Sequence, residues 1–318
     1  MSNKPANSAF LEAETEVFAS HALETRSRAL QLPKPKLSVR AVEVGTGEPV
    51  LFMHGFGLCA AHWAPLWARL PSRHRIAIDM PGHGASDGFD YSGVNLRLWY
   101  RDMLTSCLDE LGLESVHIIG HSQGAMLGMW LALDAPKRVR SLVAIGTPAV
   151  ALGARLENLK FLARHGIGSF LLSMPKLPFM YRRILADTIG LHAVDAAPEA
   201  LIRTTYLATR QADFGKTIST YLREMFNGVG AEPPRYVLSA DELAHVYQPV
   251  LMLWGQDEHY QPISEAKNKA ALMPNARFAV VAGGHEPWLD NLEACAELVS
   301  GFLSQPRTSS RTRATTEV

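Results

Sequence analysis

The chain has 318 residues, 47% of them hydrophobic, with 31 basic against 31 acidic side chains and a mean hydropathy near zero. No global charge draws such a chain to nucleic acid, and its apolar content suffices for a sizeable core, as two domains or as one large α/β domain with an insertion. Cys59, Cys107 and Cys295 stand apart without CxxC spacing, which speaks against a disulfide framework or zinc ribbon and favours a reducing compartment.

In chain order, residues 1–35 form an N-terminal extension. Glu12, Glu14 and Glu16 interrupt any apolar stretch there, so no signal peptide is expected. No run of about 18 apolar residues follows, and the expected location is cytoplasmic, without a transmembrane segment. Leu37 to Val44 alternates with period two, as a half-exposed edge hairpin should. Pro49 to Met53 is continuously apolar and fits a strand buried on both faces. Arg75 to Asp79, Val116 to Ile119, Val139 to Ile145, Val250 to Trp254 and Arg277 to Val281 repeat that signature. Helical spacing, as from Leu96 to Leu111, separates most of them. The pattern predicts an α/β fold: a mainly parallel, doubly wound sheet with helices on both faces.

Residues 151–242 break the rhythm. They read as helical, with stops at Pro175, Pro178 and Pro198, and predict a helical cap inserted between a core of 36–150 and 243–303. Residues 304–318, rich in Thr, Ser and Arg, predict a disordered tail.

Four short motifs carry chemistry. Gly120-His121-Ser122-Gln123-Gly124 lies between a strand and a helix, the context of a nucleophile elbow. The turn there is too tight for flanking side chains, hence the two glycines. A serine is a weak nucleophile without an oriented base. Asp257, in Trp254-Gly255-Gln256-Asp257-Glu258, and His285, in Gly283-Gly284-His285-Glu286, each follow an apolar strand. They bring an acid and a base to the carboxyl ends of the sheet, where sites gather. Glu258 rivals Asp257 by a single residue of register. His54-Gly55-Phe56-Gly57 follows a further buried strand, so the Phe56 and Gln123 N–H groups are candidates for an oxyanion hole. His54 itself reads better as a structural turn residue.

With HGFG, DMPGHGAS, GHSQG, WGQDE and GGHEPW in this order, the chain resembles the α/β-hydrolase superfamily over about Lys36 to Leu303. The resemblance implies Ser122 as nucleophile, His285 as general base and acid, Asp257 as orienter, and neither cofactor nor metal. Members that open epoxides or displace halide generally use an aspartate nucleophile, and serine at 122 argues against both. The expected activity is hydrolysis of a carboxylic ester or related acyl compound with an apolar acyl part. A C–C bond hydrolase or acyltransferase with the same triad, or a receptor-like ligand binder on this fold, are the alternatives.

Other features weigh less. Gly82-His83-Gly84 lacks the third glycine of a dinucleotide loop. His117 and His121 have zinc-ligand spacing, but on a strand and an elbow rather than one helix face. Asp79 closes a strand away from the histidine. Arg155, Lys160, Arg164, Lys176, Arg182 and Arg183, interleaved with apolar residues, describe either a basic rim suited to weak membrane-surface contact or, the favoured reading, solvated faces of amphipathic helices. Trp63, Trp130 and Trp288 are candidate pocket walls, Trp288 the best placed.

Overall fold

The computed structural model describes residues 5–154, 156–163, 172, 178–229 and 235–305. Eight strands, β1 (Arg26–Pro33), β2 (Lys36–Val44), β3 (Glu48–Met53), β4 (Arg73–Ile78), β5 (Val116–His121), β6 (Val139–Ile145), β7 (Val250–Gly255) and β8 (Ala276–Val281), form one sheet. Their order is β1-β2-β4-β3-β5-β6-β7-β8. The β1–β2 and β2–β4 pairs are antiparallel and every other pair is parallel.

The apolar runs form central strands because both their faces are covered. Leu51 and Met53 of β3, Ile118 of β5, and Leu142 and Ala144 of β6 point into one core, with the helices Leu96–Glu110 and Gln123–Asp134. The alternate residues Val50, Phe52, Ile119, Val143 and Ile145 point into the other, beneath Ala64–Ala68 and Leu292–Leu303. Trp63 and Trp288 belong to that second core and stack on each other at 4.7 Å, while Trp130 packs on Tyr236 in the first. None of the three tryptophans walls the cavity described below.

Two expectations change. The core begins before residue 36: β1 and the helix Pro5–Ser20 are part of it. Phe10, Ala13 and Val17 recur at helical spacing and are fully buried, and Leu30 and Leu32 alternate inward along β1. Because β1 takes the edge, β2 is a covered inner strand and not a half-exposed one. Glu14 of the N-terminal helix reaches Arg40 of β2, which also bonds Asp79 at 2.9 Å in a buried Glu–Arg–Asp chain.

Between β6 and β7 the chain forms the helices Glu157–Leu162, Pro178–Ile189, Leu191–Ala196, Glu199–Ala208, Phe214–Val229 and Ala240–Ala244, among the described residues. Tyr181, Leu185, Ile189, Val194 and Ile202 give this segment a small core of its own, closed by Leu58. Of the basic residues noted in the sequence, Lys160 pairs with Glu157, Arg182 with Asp195 and Glu199, and Arg183 with Asp187, all at the surface. Arg155, Arg164 and Lys176 lie outside the described residues, as does the tail beyond 305. No helix among the described residues is long and apolar enough to cross a membrane.

Candidate active site

Ser122 follows β5 with φ 50° and ψ −109°, a left-handed conformation that L residues rarely adopt. Its N–H donates to the Ile145 carbonyl of β6 (3.1 Å), and its own carbonyl accepts from Met126 as the helix begins. The flanking glycines are required by contact. A Cβ on Gly120 would lie 2.5 Å from the Gly124 carbonyl group, and one on Gly124 would lie 2.0 Å from the Met53 carbonyl oxygen. The elbow is therefore wedged against β3.

His285 follows β8 and is buried. Its Nδ1 is 2.6 Å from Glu258 Oε2, so the carboxylate beside this histidine is Glu258, not Asp257. The reason is the path of the turn after β7. Gln256 and Asp257 return their N–H groups to the Val281 and Gly283 carbonyls. Their side chains face solvent. Glu258 is the first residue whose side chain turns inward. Asp257 lines a different cavity with Asp290 and His192.

Glu258 accepts two further hydrogen bonds, from Thr147 N–H at Oε2 and Tyr260 N–H at Oε1, both at 3.0 Å. Burial alone would raise its pKa. The interaction with His285 and these backbone donors outweigh burial and bring it down to about 2. The Tyr260 ring stands edge-on to His285 at 4.6 Å, and its hydroxyl donates to the Thr188 carbonyl of the helical segment. On the other side, His121 Nε2–H donates to the His285 carbonyl (2.9 Å). Burial and the neighbouring His285 hold the His121 pKa well below the usual histidine range, so its imidazole is neutral.

The loop carrying Phe56 is fastened by two histidines. His54 donates from Nδ1 to the Gly55 carbonyl and accepts from Met80 N–H at Nε2. That is the structural turn role expected of it. His83, set aside in the sequence as part of a glycine turn, accepts from Gly57 N–H (3.1 Å) and faces the Pro81 carbonyl with Nδ1. Burial and nearby His54 lower its pKa to about 3, which keeps Nε2 a free acceptor. Asp79 holds the same region from below, accepting from Ala60 and Ala85 N–H. Gln123 is the first residue of its helix, so its N–H lies outside the intrahelical ladder.

Phe56, Ser122, Gln123, Thr147, Tyr260 and His285 open on one cavity of about 520 Å³. Leu156, Leu162, Leu172, Ile184, Leu185 and Met225 form much of its wall. No Lys, Arg, Asp or Glu lines it among the described residues. Nor do three His, Cys, Asp or Glu side chains group as metal ligands anywhere among those residues. A strained serine, a buried histidine–carboxylate pair and an apolar cavity, all at the carboxyl ends of a parallel sheet, define the hydrolase class of doubly wound folds.

Comparison with known proteins agrees. The model of the "Alpha/beta hydrolase family" matches residues 50–298, and the chain belongs to that family. The 2-hydroxy-6-oxononadienedioate/2-hydroxy-6-oxononatrienedioate hydrolase of Paraburkholderia phymatum is 26% identical over 284 residues, 85% of this chain and 92% of that protein. The putative carbamate hydrolase RutD of Azorhizobium caulinodans is 29% identical over 267 residues, 82% of this chain and 93% of that one. The crystal structure of carboxylesterase CesB from Bacillus subtilis superposes with a TM-score of 0.75 at 18% identity, covering 96% of this chain and all of that one.

Proposed function

We propose that this protein is a serine hydrolase that cleaves a carboxylic ester or related acyl compound with an apolar acyl part. The observation that carries the reading is the 2.6 Å His285–Glu258 bond held in the wall of the apolar cavity onto which strained Ser122 opens. In this reading the Ser122 hydroxyl attacks the substrate carbonyl while His285 Nε2 takes its proton, and Glu258 holds Nδ1–H and stabilises the imidazolium that forms. The oxyanion is met by the Phe56 and Gln123 N–H groups. His285 returns the proton to the departing alcohol, then activates the water that cleaves the acyl-enzyme. The helical segment acts as a cap, and its aliphatic side chains take the acyl chain.

A C–C bond hydrolase is the second reading, favoured by the name of the Paraburkholderia relative. That relative's substrates are dioates, whereas the cavity here is lined by no cationic side chain among the described residues. Burying an unpaired carboxylate costs several kcal/mol, which weights the choice toward uncharged esters.

The test is intact mass after treatment with a fluorophosphonate. A single adduct on wild type and none on Ser122→Ala is the expected outcome. An adduct on both proteins, or on neither while both are folded, refutes Ser122 as an activated nucleophile.

A further inference from the structure

Glu286 follows His285 directly and is fully buried, yet the reaction described above does not use it. A buried carboxylate is costly unless a partner answers it. The partner is His62 of the 3₁₀ turn Ala60–Trp63, whose Nδ1–H donates to both Glu286 oxygens at 2.9 and 3.1 Å. His62 Nε2 lies 2.7 Å from the hydroxyl oxygen of Thr205, in the helix Glu199–Ala208 between β6 and β7. That hydroxyl is held in turn by the Leu201 carbonyl one turn earlier, also at 2.7 Å.

Hydroxyl, imidazole and carboxylate repeat the composition of Ser122, His285 and Glu258, but this second set cannot meet a substrate. His62 is 1% exposed, Thr205 and Glu286 are 0% exposed, and none of the three lines the cavity. What the chain does reach is the backbone that carries His285. The His62 carbonyl accepts from Trp288 Nε1–H at 2.9 Å, so one residue grips the loop after β8 at its first and third positions beyond His285. On the near side, His121 Nε2–H holds the His285 carbonyl and Asp290 holds the Gly284 N–H. Among these four contacts, that of Glu286 continues through His62 into the helical segment.

We infer that Glu286, His62 and Thr205 are positioning residues for His285, tying the seat of the base to the docking of the helix Glu199–Ala208. This rests on the serine-hydrolase reading above and extends it to three residues outside the substrate cavity. A reacting group misplaced by about 1 Å can cost on the order of a hundredfold in rate. A base is held that closely only when the groups behind it are themselves locked by packing and hydrogen bonds. Here the lock is assembled from two parts of the chain, so the loop of His285 is fully held only when the helical segment is seated.

The experiment measures kcat and KM for p-nitrophenyl butyrate, the rate of fluorophosphonate adduct formation, and urea unfolding. It compares wild type with Thr205→Val, Thr205→Ser, Glu286→Gln and the Thr205→Val/Glu286→Gln double variant. Thr205→Val keeps the branched shape and removes the hydroxyl; Thr205→Ser returns it. The expected result for Thr205→Val is a fall of roughly fivefold or more in kcat and in adduct rate, with KM within about twofold and Thr205→Ser near wild type. Glu286→Gln should fall further, and adding Thr205→Val to it should change little, because both break one chain. The inference is overturned if Thr205→Val loses only unfolding stability, if it raises KM at unchanged kcat, or if Thr205→Ser is equally slow. Single losses that multiply in the double variant overturn it too. Should Glu286→Gln fail to fold, the valine and serine variants decide alone. An adduct at Ser122 that forms equally fast in wild type and Thr205→Val defeats this inference alone, and absence of the adduct defeats the hydrolase reading with it.

Discussion

Glu258→Gln exchanges one oxygen for an amide nitrogen in a place with no room for a donor. Glu258 accepts three hydrogen bonds, from His285 Nδ1–H and Thr147 N–H at Oε2 and from Tyr260 N–H at Oε1. A carboxamide must turn its NH₂ group toward one of these sets. Facing Tyr260 it meets a backbone donor; facing His285 it forces the imidazole into the wrong tautomer. The depression of the Glu258 pKa from 4.5 to about 2 corresponds to about 3 kcal/mol of stability at neutral pH. Because the pKa is lowered on folding, that contribution is complete above pH 4.5 and fades as pH falls toward 2. Urea denaturation should therefore separate wild type from Glu258→Gln by about 3 kcal/mol at pH 7, with the gap closing below pH 4.5. Ester turnover should fall by a factor on the order of 10³–10⁴, the cost of misorienting the base. Asp257→Asn, a surface change, should stay within about twofold in rate and ±0.5 kcal/mol in stability. If Asp257→Asn is the damaging substitution, or Glu258→Gln keeps a tenth of wild-type turnover, the assignment of the carboxylate is wrong.

Arg40→Met leaves Glu14 and Asp79 buried without their shared cation and should cost about 3–5 kcal/mol in urea unfolding; a loss below 1 kcal/mol would remove the N-terminal helix from the cooperative core. Tyr260→Phe loses only the hydroxyl bond to the Thr188 carbonyl and should leave kcat within about threefold. Tyr260→Ala removes the ring that packs on His285 and should lower kcat more than tenfold with circular dichroism unchanged; equal effects of the two would show that the ring does not position the imidazole.

The central strands were legible because each is an apolar run closed by a turn, and burial on both faces leaves no other place for such a run. Gly120 was legible because the contact that demands it, with Gly124, is local to the elbow, whereas Gly124 is demanded by Met53 of β3. What escaped was decided at a distance. Leu30 and Leu32 of β1 alternate, but β2's need for an edge partner is what makes them a strand. His83 gives no local sign that its ring will hold an amide of a loop 26 residues earlier. The carboxylate was misread by one residue, since only the path after Gly255, pinned by the Val281 and Gly283 carbonyls, decides which side chain turns inward.

The residues that hold Glu258 also border the cavity. Thr147 gives its N–H to the carboxylate and lies at the cavity's edge. Tyr260 gives its N–H to the same carboxylate and its ring to His285. A buried carboxylate persists as an anion only while such donors answer it, and in an apolar surround each bond acts in low dielectric, where its electrostatic effect is larger than in water. A ligand that shifts Thr147 or Tyr260 therefore alters the field at His285. Ligand binding in this part of the cavity and the field at His285 are thus coupled through two backbone amides. The aliphatic wall contributed by the helical segment lies outside that coupling. Changes of substrate preference can arise there without disturbing the histidine–carboxylate pair, which is why a shared elbow and histidine say little about which substrate a relative accepts.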